Sequence, residues 1–226
     1  MKSFKQLFAV IFCAVVVTFG VLVMIDERDL FGQMSNLSFE GWPAAKVTIS
    51  FILMIAVDVL LIALPLLGFI LVLTGKYDPF KAIVTCGLIV LMKFLVSIIA
   101  VIIIYSALAE ALGVTIDWNV VFFGKDTMLI IPTIVFGLAL ILLLFAKASN
   151  FEGTIARAVL ATFGSGLAIF GLVYYFLLGG GAGGLVNGGD SADWLGILGA
   201  SIGIACFCGI VVYCFLPQTR DFKKAE

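Results

Sequence analysis

Residues 46–75 read KVTISFILMIAVDVLLIALPLLGFILVLTG, and residues 81–110 read KAIVTCGLIVLMKFLVSIIAVIIIYSALAE. Both runs exceed the ~20 apolar residues that a helix needs to cross the hydrocarbon core of a bilayer. Each carries one ionisable residue deep inside it, Asp58 in the first and Lys93 in the second. Only a short polar break, Gly75 to Lys81, separates them, so they read as the two arms of a helical hairpin. Charges at that depth are costly in lipid and normally face the bundle, where they pair or line a wet cavity. The hairpin therefore sets the class: an all-α, polytopic membrane protein.

Composition agrees. Hydrophobic residues make up 63% of the 226 residues and charged ones 12%, whereas soluble domains are nearer one half apolar. The net charge of −1 provides no basic field for nucleic acid. Histidine is absent, which removes imidazole acid–base chemistry, His-ligated haem and His-rich zinc or copper sites. Cys13, Cys86, Cys206, Cys208 and Cys214 all lie in apolar stretches, an unsuitable place for a loop-stapling disulfide framework.

Six runs are long and apolar enough to span, at roughly 7–25, 47–74, 82–109, 127–146, 155–178 and 194–216. The first follows Lys2 and Lys5 but exceeds a typical signal-peptide core, and DERDLFGQ follows it without a small-x-small cleavage site, so it is expected to remain as a helix. Residues 1–226 then form one transmembrane domain with no soluble domain. With the N-terminus inside, Lys2, Lys5, Lys76, Lys81, Lys147, Arg157, Arg220, Lys223 and Lys224 collect on the cytoplasmic side, against Arg28, Lys46 and Lys125 outside. That asymmetry is the positive-inside pattern and places both termini in the cytoplasm. Trp42, Trp118 and Trp194 all fall at the outer ends of helices, where an indole anchors at headgroup level. The expected location is a bacterial inner (cytoplasmic) membrane, crossed several times.

The loops are short. Residues 26–45 contain Asn36-Leu37-Ser38, a glycosylation sequon whose physical content is surface exposure. Between the third and fourth spans, Trp118, Val120, Val121, Phe122 and Phe123 are expected on the membrane surface or against a partner. Between the last two spans lies GGGAGGLVNGGDSAD, a segment that gains little from ordering. Gly164-xxx-Ala168 and Gly199-xxx-Gly203 are small-xxx-small spacings, expected at close helix contacts with a neighbouring helix or another subunit.

The candidate site is the pair Asp58 and Lys93. Each lies some 11 residues into its helix, about 17 Å at 1.5 Å per residue, so antiparallel neighbours bring both near the midplane. Pro65, two turns from Asp58, frees a backbone carbonyl and is a candidate kink, as is Pro132 in the fourth span. A static ion pair, an ion or proton site, and pairing with another subunit all remain open. Catalytic signatures fail. Gly164-Ser165-Gly166 has no histidine base, Asp58 lacks a second carboxylate at depth for aspartyl chemistry, and Cys206-x-Cys208 points its thiols to opposite helix faces. Gly179-x-Gly181-x-x-Gly184 has no βαβ context for a dinucleotide.

Two functions follow. One is a non-enzymatic subunit of a larger membrane assembly, with the lipid bilayer and other subunits or copies of itself as partners, and with no cofactor, metal or nucleic acid. The other is a small ion- or proton-coupled transporter or channel using Asp58 and Lys93, with Thr85, Ser97 and Thr133 as further polar groups.

Overall fold

Local punctuation in the sequence decides where the long helices stop. Helix α2 (Trp42–Leu73) has proline in its first turn and ends at Thr74. There Gly75 takes φ +73°, and its N–H bonds Val72 O at 3.0 Å while Lys76 N–H bonds Leu71 O at 2.9 Å. That is a Schellman closure, which needs a residue free to turn left-handed. Helix α3 (Pro79–Leu112) starts at once: Asp78 Oδ1 accepts from Phe80 N–H at 3.0 Å and Pro79 takes the first helical position. It closes at Gly113, φ +66°, in the same way.

The computed structural model describes residues 4–35, 41–123, 130–148, 155–174 and 194–215. Besides α2 and α3 it contains α1 (Phe4–Ser35), the six-residue α4 (Trp118–Phe123), α5 (Ile130–Ala148), α6 (Ile155–Val173) and α7 (Trp194–Phe215), with no strand among the described residues. Among the described residues, five segments are long and apolar enough to cross a membrane: Phe4–Ile25, Trp42–Leu73, Pro79–Leu112, Ile130–Ala148 and Ile155–Val173. α7 is apolar as well, with Ala200–Phe215 its described apolar part. The sequon and the glycine-rich segment 179–189 lie outside the described residues.

Two boundaries differ from the reading of the sequence. α1 runs on through DERDLFGQMS to Ser35, because Asp, Glu and Arg end the apolarity without ending the helix. α2 begins at Trp42 rather than near 47, since Pro43 and the alanines after it are sound first-turn residues. α2 and α3 have 32 and 34 residues, about 48 and 51 Å, against a hydrocarbon core of about 30 Å. Their ends therefore extend well past the apolar slab or the helices tilt within it.

The bundle is organised round α3. It packs against α1, α2, α5 and α7, while α6 bridges α5 and α7. Half of its most apolar window is buried, more than in any other candidate span. Contacts fix the directions of the helices. Gln6 Nε2 donates to Val72 O at 2.6 Å, and the Phe80 and Tyr213 rings lie 5.8 Å apart. The start of α1, the α2–α3 turn and the end of α7 therefore share one end of the bundle, here called the proximal end. Large apolar side chains cover the outside, among them Ile52, Leu67 and Ile70 of α2 and Ile141 and Phe145 of α5. For a chain in lipid that surface is solvated rather than frustrated.

Candidate functional site

Asp58 stands at the middle of α2, about 24 Å from its start at 1.5 Å per residue. Lys93 is about 21 Å into α3. Both are buried, with side chains 2% and 6% exposed, and Asp58 Oδ1 lies 2.5 Å from Lys93 Nζ. The two charges thus meet each other inside the chain. The contact is Coulombic more than directional: Oδ1 makes no hydrogen bond of good geometry despite its short distance to the ammonium. Val57, Leu61, Leu91 and Met54 are buried along the same helices, so the surroundings are apolar and the attraction is weakly screened.

One residue beyond Lys93, about 100° further round α3, Phe94 faces the other side of the bundle. Its ring centroid lies 6.1 Å from that of Phe136 on α5, and it reaches Gly203 on α7. α3 therefore puts its charge toward α2 and its aromatic ring toward α5 and α7.

Pro65 is buried within α2, where it withholds the N–H that Leu61 O would otherwise accept. α1 approaches that carbonyl through Gly20. A Cβ there would fall 3.3 Å from Leu61 O and 3.0 Å from Ile62 Cγ1, so the absence of a side chain permits the crossing. Pro132 is buried near the start of the described part of α5, and the residues before Ile130 lie outside the described residues.

The small-residue positions sit at helix contacts within the chain, but they receive large side chains. A Cβ on Gly164 would meet Leu143 at 3.0 Å and Leu142 at 3.2 Å on α5; Ala168, one turn on, is fully buried. A Cβ on Gly203 would meet Leu172 of α6 at 3.0 Å and Phe94 at 3.4 Å. Gly199 lies on α7, but its surroundings fall outside the described side chains. Trp42 is 65% and Trp118 40% exposed; Trp194 opens α7, and its side chain also lies outside the described set.

Two further ties were not legible as pairs. Lys46 Nζ meets Glu110 and donates to Ser106 Oγ at 2.9 Å, joining α2 to α3 at the distal end. At the proximal end Arg157 of α6 bonds Asp78 at 3.0 Å and stacks its guanidinium 3.8 Å over the Phe80 ring. Lys5 lies 5.1 Å over Tyr213. The sequence offered only charges near helix ends, and their partners depend on which helices become neighbours. Ser165 Oγ and Thr162 Oγ1 on α6 are buried without a hydrogen-bond partner. Cys13 and Cys86 bring their thiols to 3.6 Å where α1 meets α3. Among the described residues no group of three or more His, Cys, Asp or Glu side chains could hold a metal ion.

No known family, curated protein or solved structure matches this chain.

Proposed function

We propose that this chain is a non-enzymatic subunit of a larger membrane assembly, with a structural or accessory role. It crosses a bacterial inner membrane six times, with both termini in the cytoplasm. α7, at 22 residues, is about 33 Å long and supplies the sixth span. The proximal end is then the cytoplasmic one, in keeping with Lys76, Lys81, Lys147 and Arg157 gathered there.

The observation that carries this reading is the closure of the Asp58–Lys93 pair: two charges satisfied by each other, 2.5 Å apart and nearly inaccessible. A transport site would be expected to gather several polar groups round a hydrated route. One groove among the described residues, of about 340 Å³ between α1 and α7, is lined by apolar side chains and thiols, among them Phe12, Val16, Ile202 and Cys206. Broad apolar faces on α2 and α5 suit contact with lipid or with other membrane helices.

The second reading, ion- or proton-coupled transport, is favoured by one detail. Asp58 Oδ1 lacks a well-directed hydrogen bond, which leaves it acceptor capacity. The discriminating experiment uses wild type and Asp58→Asn/Lys93→Met, solubilised from native membranes in mild detergent and separately reconstituted in proteoliposomes. The subunit reading expects both to migrate in one complex larger than the protomer, and neither to carry cations or protons. A wild type that runs alone and drives a flux abolished in the double variant would replace it with the transporter reading.

A further inference from the structure

At the proximal end the first turn of α3 carries Lys81 and the last turn of α5 carries Lys147. α3 and α5 pack together with Phe94 against Phe136; eleven residues back along α3 is Ile83 and eleven on along α5 is Lys147, so Lys147 stands within about one turn of Lys81. Both residues are half-buried, and among the described residues neither meets a carboxylate. The nearby Asp78 is occupied, its carboxylate bonding Arg157 and capping Phe80. Two like charges brought to one end of a helix interface, with no carboxylate partner among the described residues, favour an anion between them.

The faces of α3 say where that anion would come from. α2 and α5 flank α3 without packing substantially on one another, which leaves a stripe of α3 open to lipid. Met92 and Ile99 are 38% and 47% exposed. Residues 81, 92 and 99 lie within about 20° of one another on a 100°-per-residue wheel, so Lys81 stands at the proximal mouth of that open stripe. We propose that this cleft seats an anionic phospholipid. Its phosphate lies between Lys81 and Lys147, and an acyl chain runs along Met92 and Ile99 between α2 and α5. Basic side chains at the ends of membrane helices bind anionic headgroups in this manner. The inference does not depend on what the Asp58–Lys93 pair does.

The test is native mass spectrometry of the full-length protein titrated with phosphatidylglycerol or phosphatidylcholine. Thermal unfolding in nanodiscs of the same two lipids is measured alongside. Each lysine is expected to contribute about five-fold in affinity, so Lys81→Gln/Lys147→Gln should bind phosphatidylglycerol about 25-fold more weakly than wild type. Lys81→Arg/Lys147→Arg keeps both charges and should keep the affinity, as should Lys76→Gln, which removes an exposed lysine at the same end. Should the double glutamine variant fail to fold, the two single variants carry the test at about five-fold each. The proposal is overturned if the double variant retains phosphatidylglycerol like wild type, if wild type holds phosphatidylcholine as tightly, or if Lys76→Gln weakens binding as much as the pair. Displacement of phosphatidylglycerol by equimolar inorganic phosphate would also overturn it, since the site would then bind free anions and not a lipid.

Discussion

Neutralising one member of the Asp58–Lys93 pair should damage the protein far more than neutralising both. Asp58→Asn leaves an ammonium whose side chain is 6% exposed, and Lys93→Met leaves a carboxylate whose side chain is 2% exposed. Breaking a buried pair by removing one partner costs about 3–5 kcal/mol. Placing a lone charge at the centre of a membrane helix costs about 2.5–3.5 kcal/mol on insertion scales. The double variant loses the attraction, but it also loses both desolvation penalties, which in buried pairs offset one another to within a few kcal/mol. Against a loss of about 3–5 kcal/mol for each single variant, the double variant should lose no more than about 2 kcal/mol. The cycle then gives a coupling energy of at least about 4 kcal/mol. Reversible unfolding by SDS titration from mixed micelles, followed by tryptophan fluorescence, measures all four corners. Losses that add to within about 0.5 kcal/mol would show that the side chains do not interact, and the reasoning about closure would fail with them.

Other expectations follow from particular contacts. Single cysteines at positions 76 and 118 should differ in labelling by an impermeant maleimide in intact cells, with 118 reactive and 76 protected; equal access would end the six-span arrangement. Gly203→Leu, which must displace Leu172 and Phe94, should lower stability by about 1–3 kcal/mol. Gly166→Leu, whose Cβ would meet nothing within 4 Å, should be tolerated, and similar effects for the two would contradict the packing described. Arg157→Gln removes a partly exposed ion pair and a cation–π contact with Phe80 and should cost about 1 kcal/mol, read by the same SDS titration.

The spans were legible because length and apolarity alone select a membrane helix, and the α2 and α3 ends because Gly75, Asp78-Pro79 and Gly113 are local signals. The course of α1 was less so. Hydropathy falls at Asp26, but the helix continues to Ser35, since helix formation responds to backbone preference and not to solvent alone. Asp58 and Lys93 were legible as partners because depth in two adjacent antiparallel helices is simple arithmetic. Glycine spacing marked the contact faces of α6 and α7 but not their occupants. A small-xxx-small pattern describes the hole on one helix, and Leu143, Leu172 and Phe94 come from others.

The hairpin shows why its mid-membrane pair has a role that apolar packing cannot fill. Near the proximal end, Gly68 lies opposite Ala82. Ten residues back along α2 is Asp58 and eleven on along α3 is Lys93, so the pair lies at the same level in an antiparallel register. Twelve residues further back is Lys46, whose level partner would be near Tyr105; it bonds Ser106 there and also reaches Glu110, five residues or about 8 Å beyond. Lys46 therefore extends its side chain toward the distal end. Its head stays in a partly exposed place, and such a flexible tie would follow a sliding helix. The central pair has no such freedom: a slip of one helical turn, about 5.4 Å, would open the 2.5 Å contact with no water to replace it. The lipid-facing surface of α2, with its many interchangeable Ile and Leu residues, discriminates poorly between registers. A single buried polar contact at mid-helix is therefore expected to set the register of this hairpin, as a lone polar residue does in the seam of a coiled coil.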